Sequence, residues 1–182
     1  RLPLLLLKGA AGLAGSVVTW LEREFDCRVS PLRFPPLDLI WIATEWAAPS
    51  EDAPKKSQRS LELTYAAPGD APGLGKITFS VEPDSVRMLM QSIADAEGQE
   101  ALQGTQLLQA LEAHFAAQFS VHLNAMTLVR VGTFATFVGS DGRLKILPTG
   151  PPHVQDSLLV LQYLTFVASK DRVGGGDVEG WL

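Results

Sequence analysis

Two stretches of alternating apolar and polar residues, separated by a segment rich in proline and glycine, constrain this chain more than any other feature. Because successive side chains of a strand point to opposite faces, such alternation predicts strands with one buried face. The alternating apolar positions are Leu61, Leu63 and Tyr65, followed by Ile77, Phe79 and Val81. Pro-Gly pairs within residues 67–75 predict a turn. We therefore expect residues 61–67 and 76–81 to form an antiparallel hairpin.

The rest of the chain adds helices and further strands. Apolar residues at helical spacing predict helices over residues 13–25, 84–94, 105–119 and 154–167. Thr105 is the expected N-cap of the third helix. Alternation and apolar runs predict strands over residues 37–48, 121–125, 128–138 and 144–147, the last reached through the turn Ser140-Asp141-Gly142. The predicted fold class is α+β, an antiparallel sheet with helices packed mainly on one face. We expect one domain over residues 1–168 and a flexible tail over residues 169–182.

Composition bounds the class of protein. The chain has 182 residues, is 46% hydrophobic, and carries 15 Lys+Arg against 20 Asp+Glu, a formal net charge of −5. This favours a folded chain and argues against a protein whose whole surface attracts nucleic acid. The single Cys27 fits a reducing compartment, cytosol or nucleus. The apolar run at residues 2–7 is interrupted by Lys8, so we expect no membrane span.

The residues that usually carry catalysis or bind metals do not form a convincing set. His114 and His122 are eight positions apart and His153 lies in a proline-rich turn, so no histidine has a partner at zinc-ligand spacing. We expect no catalytic residues, no metal, no cofactor and no small-molecule substrate.

One region is locally basic in this acidic chain. Arg130, Arg143 and Lys145 fall on the two arms of the last predicted hairpin, and acidic residues are absent between Glu112 and Asp141. Because strand side chains alternate, Arg143 and Lys145 are predicted on one face. The three residues form either a solvated sheet face or a patch that contacts phosphates. The open sheet also has free edges, which can accept a strand from a partner.

Several segments carry a resemblance to a known family. Residues 20–27 read Trp-Leu-Glu-Arg-Glu-Phe-Asp-Cys, and residues 39–46 combine Leu-Ile-Trp-Ile-Ala with a second tryptophan. Further segments follow at residues 81–84, 122–131, 141–147 and 160–165. In this order they resemble the C-terminal half of the centromere protein L (CENP-L) family, and the resemblance covers residues 20–168. Residues 49–60 and the tail depart from the family pattern.

The resemblance implies a non-enzymatic structural subunit of the inner kinetochore, located in the nucleus at the centromere. The family pairs with centromere protein N (CENP-N) within the constitutive centromere-associated network, beside other inner-kinetochore subunits and CENP-A nucleosomes, where the pair encloses DNA. Pairing is expected through the last hairpin and closing helix, with candidate interface residues Leu144, Ile146, Tyr163, Phe166 and Val167. The candidate DNA contacts are Arg130, Arg143 and Lys145.

Two alternatives come from other functional classes. One is an enzyme of unknown type with a cleft over the antiparallel sheet, and the other is a stand-alone nucleic-acid-binding module. The aromatic residues of the N-terminal part offer a separate prediction. Trp20, Phe25, Trp41 and Trp46 are expected to be buried in the core or at an interface, because large exposed aromatics would form an unusual apolar patch.

Overall fold

The computed structural model describes residues 4–49, 58–69, 75–97, 105–147 and 154–170. Over these residues the helices are Ala11–Phe25 (α1), Pro36–Glu45 (α2), Pro83–Glu97 (α3), Gln106–Phe119 (α4) and Val154–Lys170 (α5). The strands are Leu61–Ala66 (β1), Lys76–Val81 (β2), Thr127–Gly132 (β3), Thr136–Gly139 (β4) and Leu144–Ile146 (β5). Every strand pairing is antiparallel, in the order β2-β1-β3-β4-β5. The predicted α+β class is confirmed.

The chain divides into two compact units. Among the described residues, those between 33 and 157 form one unit, which contains the sheet, and residues 4–32 and 158–170 form the other. The predicted hairpin lies in the first unit and is confirmed. Leu63 pairs with Phe79 and Tyr65 pairs with Ile77, so the apolar sets of β1 and β2 share one face. Of its turn, residues 70–74 lie outside the described residues.

The face of the sheet that carries these apolar residues, called here the inner face, packs against helices. Leu63, Val131 and Val138 lie next to one another across β1, β3 and β4 and are buried. Helix α2 packs on β3 and on α4. Helix α4 reaches the sheet through Phe115, whose ring centre lies 5.2 Å from that of Phe79. Burying each such large side chain contributes about 1.5–3 kcal/mol, so this face holds the sheet and helices together.

The strand predicted over residues 37–48 is wrong, because most of this segment forms α2. Pro36 occupies the first helical turn, where its fixed φ suits a helix and its missing N–H costs nothing, and Asp38 lies in the same turn. Leu39, Ile42 and Ala43 are buried at helical spacing. A short segment that is apolar on both faces fits a buried helix as well as a buried strand, so the pattern did not distinguish the two.

Three smaller predictions also need correction. Residues 128–138 do not form one long strand, because a turn at residues 133–135 separates β3 from β4. Leu123–Ala125 forms a short 3₁₀ helix instead of a strand. Thr105 precedes α4, but its side chain does not cap the helix, and its hydroxyl accepts a hydrogen bond from Gln109 Nε2 instead. In contrast, the turn at residues 140–142 is confirmed, with Gly142 at φ 82°.

The second unit contains α1 and the greater part of α5. Helix α1 forms where its apolar spacing predicted, and it ends at Asp26 in the left-handed region with φ 43°. Glu22 Oε1 then accepts a hydrogen bond from the Val29 N–H at 2.9 Å, which ties the following segment to the helix. Helix α5 begins at residue 154 as predicted and continues to Lys170. Residues 171–182, which include most of the predicted tail, lie outside the described residues.

The four aromatic residues that were predicted to be buried differ in their exposure to solvent. Trp46 is 5% exposed and belongs to the core, and its ring packs edge-on against Trp41. Trp41 is 38% exposed, whereas Trp20 and Phe25 on α1 are 54% and 65% exposed. Burial in the core of this chain is therefore wrong for Trp20 and Phe25. Burial of these two at an interface stays a prediction.

Candidate nucleic-acid interface

The predicted basic residues meet on the face of the sheet opposite the inner face, called here the outer face. In the strand register Gly132 of β3 lies opposite Phe137 of β4, and Phe137 lies opposite Lys145 of β5. Arg130 is two residues before Gly132 and therefore points to the same face. The register thus brings Arg130 and Lys145 to the two sides of Phe137.

The side chains confirm this arrangement. The guanidinium carbon of Arg130 lies 5.5 Å from the centre of the Phe137 ring, and Lys145 Nζ lies 5.9 Å from it. Both distances fall within the range of cation–π attraction. Arg130 and Lys145 are exposed, while Phe137 is half-buried. Two exposed cations, from the strands on either side of β4, therefore lie around one aromatic ring.

Arg143 occupies a different environment. It follows the turn, its side chain is 91% exposed, and its Nε lies 3.4 Å from Asp141 Oδ2. Its backbone N–H also donates to Asp141 Oδ1 at 3.1 Å. Parity places it on the face of Lys145, as predicted, but its charge faces a nearby carboxylate. Within the described residues, neither Arg130 nor Lys145 forms a salt bridge, although Glu62 lies opposite Gly132 on the same face.

Sequence reasoning found the three cations and missed the ring between them. It placed Arg130 on an arm of the last hairpin, whereas that residue lies on β3, one strand further away. If residues 128–138 were one strand, Arg130 and Phe137 would be an odd number of positions apart and would face opposite sides. The turn at Thr133 reverses the chain and brings both to one face. Gly132, against which an aromatic ring can pack, was the available signal.

The candidate partner residues of the sheet lie at its edge. Leu144 and Ile146 belong to β5, are half-buried, and point to the inner face. Gly139 N donates to Arg143 O at 2.9 Å, and Leu147 N donates to Ala135 O at 2.9 Å. Because hydrogen-bonded and non-hydrogen-bonded pairs alternate in an antiparallel ladder, the backbone N–H and C=O groups of Leu144 and Ile146 point outward from the sheet.

The other partner candidates lie on α5, in the second unit. Tyr163 is half-buried and Phe166 is 39% exposed, and their ring centres are 6.4 Å apart. Val167 is 4% exposed, so it is already buried within the chain. Tyr163 and Phe166 therefore form the accessible aromatic pair of this helix.

A polar pair joins β1 to α4 through buried Tyr65 and half-buried Glu112. The Tyr65 hydroxyl donates a hydrogen bond to Glu112 Oε1 at 2.7 Å. Burial is the main cause that raises the pKa of Tyr65, and the hydrogen bond to Glu112 and its negative charge raise it further. In the described part of the chain, no group of three metal-binding side chains is present, and no helix has the length and apolar character needed to cross a bilayer.

Comparison with known proteins identifies the family. The family model for centromere protein L matches residues 1–169. The chain belongs to the centromere protein L family. Centromere protein L of Homo sapiens is 32% identical over 147 residues, which are 80% of this chain and 42% of that protein. The protein of the same name from Bos taurus is 31% identical over 168 residues, 92% of this chain and 46% of the relative.

The relative from Xenopus tropicalis extends the match to an amphibian, at 31% identity over 168 residues, 92% of this chain and 45% of that protein. The chain therefore spans less than half the length of these curated relatives. Membership of the centromere protein L family confirms the resemblance found in the sequence and assigns the chain to the centromere, the chromosomal site at which the kinetochore assembles.

Proposed function

We propose that this chain is a non-enzymatic structural part of the inner kinetochore in the nucleus, which pairs with CENP-N and helps to hold centromeric DNA together with other subunits of the constitutive centromere-associated network. Membership of the centromere protein L family supports the cellular setting. The observation that supports DNA contact is the outer-face cluster of Arg130 and Lys145 around Phe137 in an otherwise acidic chain.

Electrostatics explain why a partner is needed. The net charge of −5 repels DNA at long range. Exposed cations such as Arg130 and Lys145 attract a phosphate only within about one Debye length, ~8 Å at physiological salt. A partner with a basic groove of its own would supply further charge and hold DNA at that distance. The isolated chain is therefore expected to bind DNA weakly.

The test compares the DNA affinity of the isolated chain with that of the full-length protein in complex with CENP-N. The same complex is then measured with the double substitution Arg143→Ala and Lys145→Ala, and separately with Arg130→Ala. Each lost phosphate contact should lower the salt slope of log K by about one unit. Lys76→Ala on the outer face of β2 is the matched control and should leave the slope unchanged. Tight binding by the isolated chain would contradict the dependence on a partner, and unchanged slopes in all variants would return these residues to a solvated face.

For the partner contact, we propose that CENP-N engages the last hairpin and α5. The outward N–H and C=O groups of Leu144 and Ile146 at the β5 edge can pair with an added strand. Tyr163 and Phe166 offer an accessible aromatic pair for side-chain contacts.

Proline substitution tests this edge directly. Ile146→Pro removes an outward N–H that β4 does not use, and proline is tolerated at sheet edges. Ser80→Pro is the control, because it also removes an outward N–H, at the opposite edge of the sheet. The Ala67 N–H donates to Gly75 O, and because hydrogen-bonded pairs alternate along β1 and β2, the Ser80 N–H points away from β1. We expect Ile146→Pro to abolish capture of CENP-N by the full-length protein and Ser80→Pro to preserve it. Equal capture by both variants would contradict pairing at β5.

A further inference from the structure

We propose that Phe137 is a positioning residue that mounts Arg130 and Lys145 as one two-cation site for the sugar-phosphate backbone of DNA. This inference rests on the DNA contact proposed above and deepens it. It assigns unequal roles within the basic region: Arg130 and Lys145 act together through the ring, Arg143 acts separately, and Phe137 itself need not touch DNA.

The Phe137 ring packs against Gly132 of the neighbouring strand β3. A Cβ atom added to Gly132 would lie 2.3 Å from Cε1 and 2.6 Å from Cδ1 of Phe137. The Phe137 ring therefore occupies the space that a side chain at position 132 would need, directly over the β3 backbone. Packing of an aromatic ring over a cross-strand glycine holds the ring against the sheet. A side chain seated in this way can orient its neighbours.

The two cations approach this ring from neighbouring strands. Arg130 reaches it along β3 and Lys145 reaches it across the β4–β5 pair. Both charged groups lie within cation–π range of the one ring centre, at 5.5 and 5.9 Å. A long side chain that is already held over a ring loses less rotamer freedom when it binds a phosphate. The ring thus improves binding without adding charge.

The arrangement fits a phosphate backbone better than a base. The cations occupy the surroundings of the half-buried ring, so a base could stack on Phe137 only by displacing them. Guanidinium and ammonium groups are the donors that contact phosphate oxygens. Arg143 differs because its exposed side chain lies beside the Asp141 carboxylate. The site should therefore bind DNA with little dependence on sequence.

The experiment measures DNA affinity and its salt dependence for the full-length protein in complex with CENP-N. Phe137→Leu should weaken the Kd about five- to tenfold, because Arg130 and Lys145, no longer held over the ring, lose more rotamer freedom when they bind a phosphate. Its salt slope should stay at the wild-type value, because the number of phosphates contacted is unchanged. Phe137→Tyr keeps the ring and should stay within about twofold of wild type. Arg130→Ala and Lys145→Ala should each lower the slope by about one unit.

A second variant displaces the ring without altering it. Gly132→Ala places a methyl group against the Phe137 ring and should weaken DNA binding as Phe137→Leu does. Thermal unfolding and CENP-N capture establish that each variant is folded. If Phe137→Leu does not fold, the DNA affinity of Gly132→Ala tests the positioning role of Phe137.

The possible failures are distinguishable. Wild-type affinity and slope in the Arg130→Ala, Lys145→Ala double variant would overturn the proposed DNA contact itself. Loss of affinity in that double variant, with wild-type affinity in both Phe137→Leu and Gly132→Ala, would overturn only the positioning role. Preference for single-stranded oligonucleotides that Phe137→Leu abolishes would overturn the backbone assignment in favour of base stacking.

Discussion

On the inner face of the sheet Leu63 of β1 and Val138 of β4 are 0% and 1% exposed, whereas on the outer face Arg130 of β3 and Lys145 of β5 are exposed. The inner residues pack beneath helices, and the Tyr65 hydroxyl among them donates a hydrogen bond to Glu112. On the outer face, Arg130 and Lys145 both lie within cation–π distance of the Phe137 ring. Alternation along the strands therefore places the residues that stabilise the fold on one face and the exposed charges on the other. Changes on one face should have little effect on the property that the other face carries.

The strongest contrast between the faces is expected at adjacent positions of β1. Leu63→Ala removes a fully buried side chain and should lower the free energy of unfolding by about 2–5 kcal/mol. Thr64→Ala on the outer face loses only the exposed hydrogen bond of 2.9 Å to the Thr78 hydroxyl, and should cost less than about 1 kcal/mol. Urea unfolding of both variants checks the difference. Equal losses would show that the outer face is part of the core.

The next effect concerns the turn between β3 and β4. Thr133 is fully buried, and its hydroxyl accepts from the N–H groups of Ala135 and Thr136 at 3.3 and 3.1 Å. Thr133→Val leaves these donors without the hydroxyl and should cost about 1–3 kcal/mol. Thr64→Val is the matched control on the outer face. The urea midpoints of the two variants check this, and a Thr133→Val midpoint equal to wild type would refute the role of the hydroxyl.

A smaller effect should appear only at alkaline pH. Because the pKa of Tyr65 is raised in the folded chain above its unfolded value of about 10, its stability contribution is complete below that pH. Above about pH 10 the unfolded state alone releases this proton, and stability should fall by up to ~1.4 kcal/mol per pH unit. Tyr65→Phe should cost about 1 kcal/mol at pH 7 and flatten the alkaline decline. An identical decline in the variant would contradict the raised pKa of the buried Tyr65 hydroxyl.

The smallest effect is expected at Arg143. Its side chain is 91% exposed and its ion pair with Asp141 is solvated, so Arg143→Ala should change stability by less than about 0.5 kcal/mol. Calorimetric Tm values of the variant and of Lys145→Ala provide the measurement. A large loss for either residue would mean that the outer face contributes to stability after all.

Local patterns predicted the parts of this fold whose partners are close in sequence. Alternating apolar residues predicted that β1 and β2 share one buried face, and apolar residues at helical spacing predicted α3 and α4. Asp141-Gly142 predicted the turn before β5. In each case the period of the apolar residues or the backbone angles of a turn are set by the segment itself. The same local reasoning identified Arg130, Arg143 and Lys145 as the basic residues of the region.

The choice of helix for α2, the turn at Thr133 and the cluster around Phe137 depend on tertiary contacts. The α2 segment is mostly apolar, so its pattern fits a helix or a strand, and packing against β3 and α4 favours the helix that Pro36 and Asp38 begin. The Thr133 turn depends on a buried hydroxyl that satisfies backbone donors, a contact that periodicity does not register. Local patterns in the chain establish which residues alternate and which carry charge. The pairing of β3, β4 and β5 decided which of those charges meet, because strand register depends on the whole core.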